Sequence, residues 1–157
     1  MYSKLYLLMV SVLLFSIDMF SKQYMTNNLN RQIIINDYLS FTLIFNKGII
    51  FGLLSNNILI LYILPILIIS IILFLIVELY FFNKNKLLDI AYTLIISGAC
   101  GNFYDRIKYG AVVDFININI LNINLPIFNI ADINIFLGII FIMINSIYVK
   151  YKNINKY

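Results

Sequence analysis

Residues 58–82 read ILILYILPILIISIILFLIVELYFF, a run containing one proline, Pro65, and one charge, Glu78. A helix rises 1.5 Å per residue, so this stretch would be about 37 Å long, more than the roughly 30 Å hydrocarbon core of a bilayer. The whole chain has 157 residues, of which 62% are hydrophobic and 11% charged, against roughly 25% charged in an ordinary soluble domain. A water-soluble fold of that size has no interior large enough to hide so much apolar surface. The chain therefore reads as an integral membrane protein.

Working outward, three more apolar runs appear at Leu5 to Phe20, Leu87 to Cys100 and Ile133 to Val149. The expected fold is an all-α membrane protein, a single integral membrane domain over 1–157. Four transmembrane helices are expected at about 5–20, 58–82, 87–100 and 133–149, with outer loops at 21–57 and 101–132. The first and third runs are short and must borrow interfacial residues. No small-x-small cleavage site follows Ile17, and the first run ends in Asp18, Ser21 and Lys22, so it is expected to be a retained span rather than a cleaved signal.

The net charge of +4 is informative through its placement. Lys4, Lys84, Lys86, Lys150, Lys152 and Lys156 all fall on one side of a four-span arrangement, and that side should be cytoplasmic. Both termini then lie inside and both long loops outside, where basic residues are balanced by Asp18, Asp37, Asp105, Asp114 and Asp132. No nucleic-acid partner is expected. In the first loop Leu39, Phe41, Leu43 and Phe45 alternate with Ser40, Thr42 and Ile44, and Ile33 to Ile35 precede them across Asn36-Asp37. That pattern reads as a small β-sheet element on the outer face, to which Ala111 to Ile120 adds a strand.

There is no histidine and a single cysteine, Cys100. Ser-His-Asp, Cys-His and paired-histidine zinc arrangements are thereby excluded, as is an intramolecular disulfide. No cofactor is expected and no metal site. Of the seven acids, Glu78 and Asp89 lie toward the cytoplasmic ends of their spans and Asp37 sits in a turn, which leaves Asp18, Asp105, Asp114 and Asp132. Asp114 lies in Val112-Val113-Asp114-Phe115-Ile116, where apolar neighbours would desolvate a carboxylate and raise its pKa. Asp132 stands at the start of the fourth span, where the helix dipole favours negative charge. Two carboxylates in contrasting surroundings suit a general acid and a general base.

Local pattern alone favours a plainer account. Asn129 and Asp132 have the spacing of a helix capping box, and Asp114 can pair with Arg106 or Lys108. Three other functions compete: a transporter using an intramembrane carboxylate such as Glu78, a peptidase using Ser21-Lys22, and an assembly protein without an active site. Adjacent helical residues point about 100° apart, which disfavours Ser21-Lys22 as a working pair. Nineteen asparagines make any single asparagine weak evidence.

The ordered strings carry more. Asp18-Met19-Phe20-Ser21-Lys22 is followed by Asn46-Lys47-Gly48-Ile49-Ile50-Phe51-Gly52, then Gly98-Ala99-Cys100-Gly101-Asn102-Phe103-Tyr104-Asp105-Arg106, then Gly110-Ala111-Val112-Val113-Asp114-Phe115, then Phe128-Asn129-Ile130-Ala131-Asp132. Together they resemble lipoprotein signal peptidase, or signal peptidase II, over nearly the whole chain. The resemblance implies an aspartic endopeptidase of the bacterial inner membrane, with its active site near the outer face. Such an enzyme removes the signal peptide from diacylglyceryl-modified prolipoproteins, cutting before the lipidated cysteine; membrane lipid is its surroundings and a monomer is expected. It implies that Asp114 and Asp132 are catalytic, that Asn46, Gly48, Asn102, Arg106 and Asn129 bind substrate, and that Asp18, Lys22 and Asp105 support the site. Ile49-Ile50 replace the small residues usual after the Asn-x-Gly element, and Ser97 and Cys100 stand where Gly and Leu are common.

The charge pattern makes a topological prediction. In a Cys100→Ser background, a cysteine at position 38 should react with an impermeant thiol reagent in intact cells, and a cysteine at position 84 should not. The reverse labelling would overturn the orientation.

Overall fold

The computed structural model describes residues 4–29, 32–48, 58–83, 85–120 and 123–155. Lys84, Lys156, Phe51, Gly52 and the Ile49-Ile50 pair lie outside the described residues. Helices α1 (Leu5–Asn28), α2 (Ile58–Val77), α3 (Lys86–Tyr109) and α4 (Ile130–Ile154) form the body, and α2 continues through a wider π-helical turn at Glu78–Phe82. Each of the four is long and apolar enough to cross a membrane. Strands β1 (Ile33–Ile34), β2 (Leu39–Asn46), β3 (Val112–Ile120) and β4 (Ile123–Asn124) pair antiparallel in sequence order. The small sheet expected from the alternation is present, with β1 and β2 joined as a hairpin across Asn36-Asp37. Asn36 Oδ1 accepts from the backbone N–H groups of Tyr38 and Leu39, both at 2.9 Å, closing the turn.

The helices are longer than their apolar runs. The span expected at 5–20 continues to Asn28, that at 87–100 to Tyr109, and that at 133–149 widens to Ile130–Ile154. Asp18 to Lys22 and Gly101 to Arg106, at or beyond the expected span ends, are therefore helical. Hydropathy reports the surface facing lipid, whereas a helix packed inside a bundle carries polar residues on its inner face without losing a backbone hydrogen bond. α3 stops only at Gly110, whose positive φ of 66° supplies the left-handed cap.

Large apolar side chains such as Met9, Phe20, Phe81 and Ile147 point outward, where acyl chains solvate them. α3 is the most enclosed of the four helices, with half of its apolar window buried. Its small residues permit this, because helices in lipid gain little from burying apolar surface and associate through close packing. A Cβ on Gly98 would collide with the Ala131 carbonyl of α4, and one on Gly138 would lie 2.7 Å from the Ala91 carbonyl oxygen of α3. At one end Lys4 ties three segments together. Its ammonium donates to the carbonyls of Leu79 and Asn83 and pairs with Asp89 at 3.0 Å. Asn85 reaches Asn145 at 2.6 Å at the same end, toward which α4 carries Lys150 and Lys152. The sheet occupies the other end.

Gly98→Val should therefore destabilise the bundle by about 1–3 kcal/mol or more, because the backbone of α4 has to move. Thermal unfolding in detergent reads this, and Ile147→Ala on the lipid-facing surface should shift the midpoint far less.

Candidate active site

The sheet register sets the first contact. Asn46 lies opposite Val112 and Ile44 opposite Asp114, so Asn46 and Asp114 are diagonal neighbours on one face. The Asn46 amide accordingly donates to Asp114 Oδ2 at 3.0 Å. Phe128 exchanges two backbone hydrogen bonds with Ile116, at 3.1 and 2.8 Å, which holds the segment leading into α4 against β3. Asn129, the next residue, thereby arrives beside Asp114 and donates from Nδ2 to Asp114 Oδ1 at 2.7 Å.

Asn129 is also the N-cap of α4. Its Oδ1 accepts from Asp132 N–H at 2.9 Å, while Asp132 Oδ2 accepts from Asn129 N–H at 3.2 Å. The capping box read from the spacing is thus real, and the residue that caps the helix also joins the two carboxylates. The other oxygen of Asp132 accepts from Asn102 Nδ2 of α3 at 2.7 Å.

Both aspartates line one cleft of about 590 Å³. Asn46, Asn102, Arg106, Asp114 and Asp132 make its polar wall; Leu125 to Phe128 and Ile135, Phe136 and Ile139 make an apolar one. The apolar wall was not picked out from sequence, although 132, 135, 136 and 139 have the spacing of one helix face. Arg106 donates to the carbonyls of Gly48 at 3.2 Å and Asn102 at 3.4 Å. Gly48 is buried beside Asn46, whose Oδ1 accepts from its N–H at 3.0 Å. The pairing of Asp114 with Arg106 or Lys108 does not form among the described residues; Lys108 lies over the rings of Tyr104 and Tyr109 instead.

Behind the cleft, Lys22 pairs with Asp18 at 2.7 Å and Asp105 at 2.9 Å and donates to Asn102 Oδ1 at 3.0 Å. Asp18 Oδ1 also accepts from Ala131 N–H, and Asp105 Oδ2 from Val113 N–H. These two acids thus fasten α1 to the start of α4 and α3 to the start of β3. Ser21 donates to the Asp18 carbonyl, and the Lys22 ammonium is taken by carboxylates, so the two do not act as a nucleophile and base. Glu78 sits in the π-helical turn at the opposite end, and Asp37 stays exposed in the hairpin.

Burial dominates the electrostatics of Asp114 and pushes its pKa up to about 6. The hydrogen bond from Asn46 opposes the rise, the negative charge of Asp132 adds to it, and the hydrogen bond from Asn129 opposes it again.

A family model described as Signal peptidase (SPase) II matches residues 10–148. The chain belongs to that family. It is similar to the lipoprotein signal peptidase of Wigglesworthia glossinidia brevipalpis, at 38% identity over 145 residues covering 88% of this chain and 92% of that one. The lipoprotein signal peptidase of Staphylococcus aureus (strain JH9) is 41% identical over 115 residues, covering 71% of this chain and 67% of its relative. A solved structure described as a bacterial membrane enzyme superposes with a TM-score of 0.78 at 29% identity, over 91% of this chain and 88% of that one. The chain is accordingly a multi-pass bacterial membrane peptidase, and the five strings quoted above carried that family signal correctly.

The titration of Asp114 is testable without an activity assay. Infrared difference spectra of the protonated carboxyl band should show it titrating near pH 6 and disappearing in Asp114→Asn. Asn46→Ala, which removes a donor to the carboxylate, should move the midpoint to higher pH; a midpoint near 4 in the wild type would contradict the assignment.

Proposed function

We propose that this peptidase removes the signal peptide from diacylglyceryl-modified prolipoproteins, cutting on the N-terminal side of the lipidated cysteine with Asp114 and Asp132 as its acid–base pair. The observation that carries the reading is that one asparagine, Asn129, bonds both carboxylates on the wall of a single cleft. Asp114, buried and inclined to hold a proton, hydrogen-bonds the scissile carbonyl. Asp132, held by Asn102, takes a proton from water as the water oxygen attacks the carbonyl carbon. When the tetrahedral intermediate collapses, the C–N bond breaks and a carboxyl proton passes to the departing cysteine nitrogen. When Asp114 delivers its proton to the amine, Asp132 keeps the one taken from water, and the two roles exchange over the cycle. Apolar substrate entering the cleft displaces water and strengthens the hold of Asp114 on its proton.

In this reading Arg106 and Gly48 bind the substrate backbone near the mouth of the cleft. Ile135, Phe136 and Ile139 face the apolar part of the signal peptide and the acyl chains, which arrive from the lipid. The enzyme works as a single-domain monomer in the inner membrane with both termini cytoplasmic and the sheet at the outer face. The rival of a transport carboxylate finds no support at Glu78, which lies in the π-helical turn at the end away from the cleft.

Asparagine substitution separates chemistry from helix capping. Asp132→Asn still caps, so its stability should fall by about 1 kcal/mol or less, yet cleavage of a lipidated prolipoprotein in detergent should drop at least ~100-fold. Asp114→Asn should behave alike, and the double variant should be little worse than either single one, since paired groups lose their joint effect at the first substitution. Asp37→Asn should keep most activity. Folded Asp114→Asn and Asp132→Asn proteins that cleave at the wild-type rate would end the two-aspartate reading.

A further inference from the structure

Lys22 is 2% exposed, donates to Asn102 Oδ1 at 3.0 Å, and forms ion pairs with Asp18 Oδ2 at 2.7 Å and Asp105 Oδ2 at 2.9 Å. An ammonium has no acceptor to offer, so it dictates which end of the Asn102 amide faces it. The oxygen must turn to Lys22, and the NH2 group then turns to Asp132, at 2.7 Å. Asn129 Nδ2 adds a second donor to Asn102 Oδ1 at 3.1 Å. Its own orientation is set by the Asp132 backbone N–H, which can only donate. Turning the Asn102 amide over would set NH2 against an ammonium and oxygen against a carboxylate.

We propose that Lys22 is a positioning residue of the peptidase reaction: it locks the amide of Asn102 so that Asn102 donates to Asp132 and aims that carboxylate at the attacking water. The proposal rests on the two-aspartate reading above and adds to it a role for Lys22 beyond pairing buried charge. Lys22 does not touch Asp132; its charge is taken up in ion pairs with Asp18 and Asp105. The charged groups that act on Asp132 directly are Arg106 from α3 and Asp114 from β3; Lys22 from α1, paired with Asp18 of α1 and Asp105 of α3, reaches it through Asn102. The influence of Lys22 is directional, carried by one hydrogen bond into a planar amide.

Lys22→Met alone leaves two buried carboxylates without a cation and is prone to misfold, so the informative variant is Lys22→Met/Asp18→Asn. It removes one charge of each sign and preserves the acceptor for Ala131 N–H, with Asp18→Asn alone as its matched control. Relative to that control, kcat for a lipidated peptide should fall by about 100-fold, the order expected when a reacting group is misplaced by an ångström. KM should change little. The acid limb of kcat/KM should move to higher pH, because an amide oxygen turned toward a carboxylate favours its protonated form. A folded double variant with the kcat and pH profile of the control would overturn the proposal, as would a loss that follows the melting temperature while the profile keeps its shape.

The wild-type enzyme provides a test that needs no Lys22 variant. With asparagine side chains labelled with 15N, the Asn102 NH2 resonances, assigned by their loss in Asn102→Ala, should shift with pH. That shift should vanish in Asp132→Asn; an Asn102 amide indifferent to Asp132 would also overturn the proposal. Failure of the underlying reading looks different, since it requires Asp132→Asn itself to cleave normally.

Discussion

A carboxylate withdrawn from water must find its partners within the protein, and the sheet end of this molecule is arranged around four of them. Asp18 and Asp105 form ion pairs with Lys22 and accept from backbone N–H groups. Asp114 and Asp132 are satisfied by neutral donors: Asn46 and Asn129 for the first, Asn102 and the Asn129 backbone for the second. The difference matters chemically. Around Asp114 the amides orient the carboxylate, while burial is the larger influence on its proton and pushes its pKa up to about 6.

The same polar layer explains how the helices are placed. Lipid provides no hydrophobic reason for apolar helices to associate, so close approach and interior hydrogen bonds have to do it. Gly98 and Gly138 bring α3 and α4 into contact, and a Cβ on Gly101 would strike the Asp18 carboxylate. The glycines and the buried charges are therefore one arrangement: the helices must be close for Lys22 to reach α3, and they are close because no side chain intervenes.

Asn129 shows why structural and catalytic readings of a residue need not compete. It caps α4 and anchors Asp114 from one fully buried side chain, while its backbone N–H holds Asp132. Capping fixes its backbone and Oδ1, which leaves Nδ2 free to point at Asp114. A helix start is a rigid place to mount a reacting group, and Asp132 occupies the third position of that start for the same reason.

Membrane insertion and the count of four spans were legible in the sequence, because hydrophobic length is a property of contiguous residues and needs no partner. The strand pairing from Ile33 to Asn46 was legible through its alternation, and the absence of histidine excluded histidine-based catalysis and paired-histidine zinc sites. The resemblance of five ordered strings then pointed to the family. Three things were not legible. The helical extension of α1 through Lys22 and of α3 through Arg106 was hidden, since polar residues inside a bundle look like loop residues to a hydropathy reading. The apolar wall of the cleft, from Leu125 to Ile139, was hidden among many equally apolar residues. Finally, Lys22 meets Asn102 across 80 positions and Asn102 meets Asp132 across 30. Composition and spacing name the donors and acceptors available, but a hydrogen bond requires about 3 Å and a fixed direction, and only the packing of distant helices decides which pairs meet that condition.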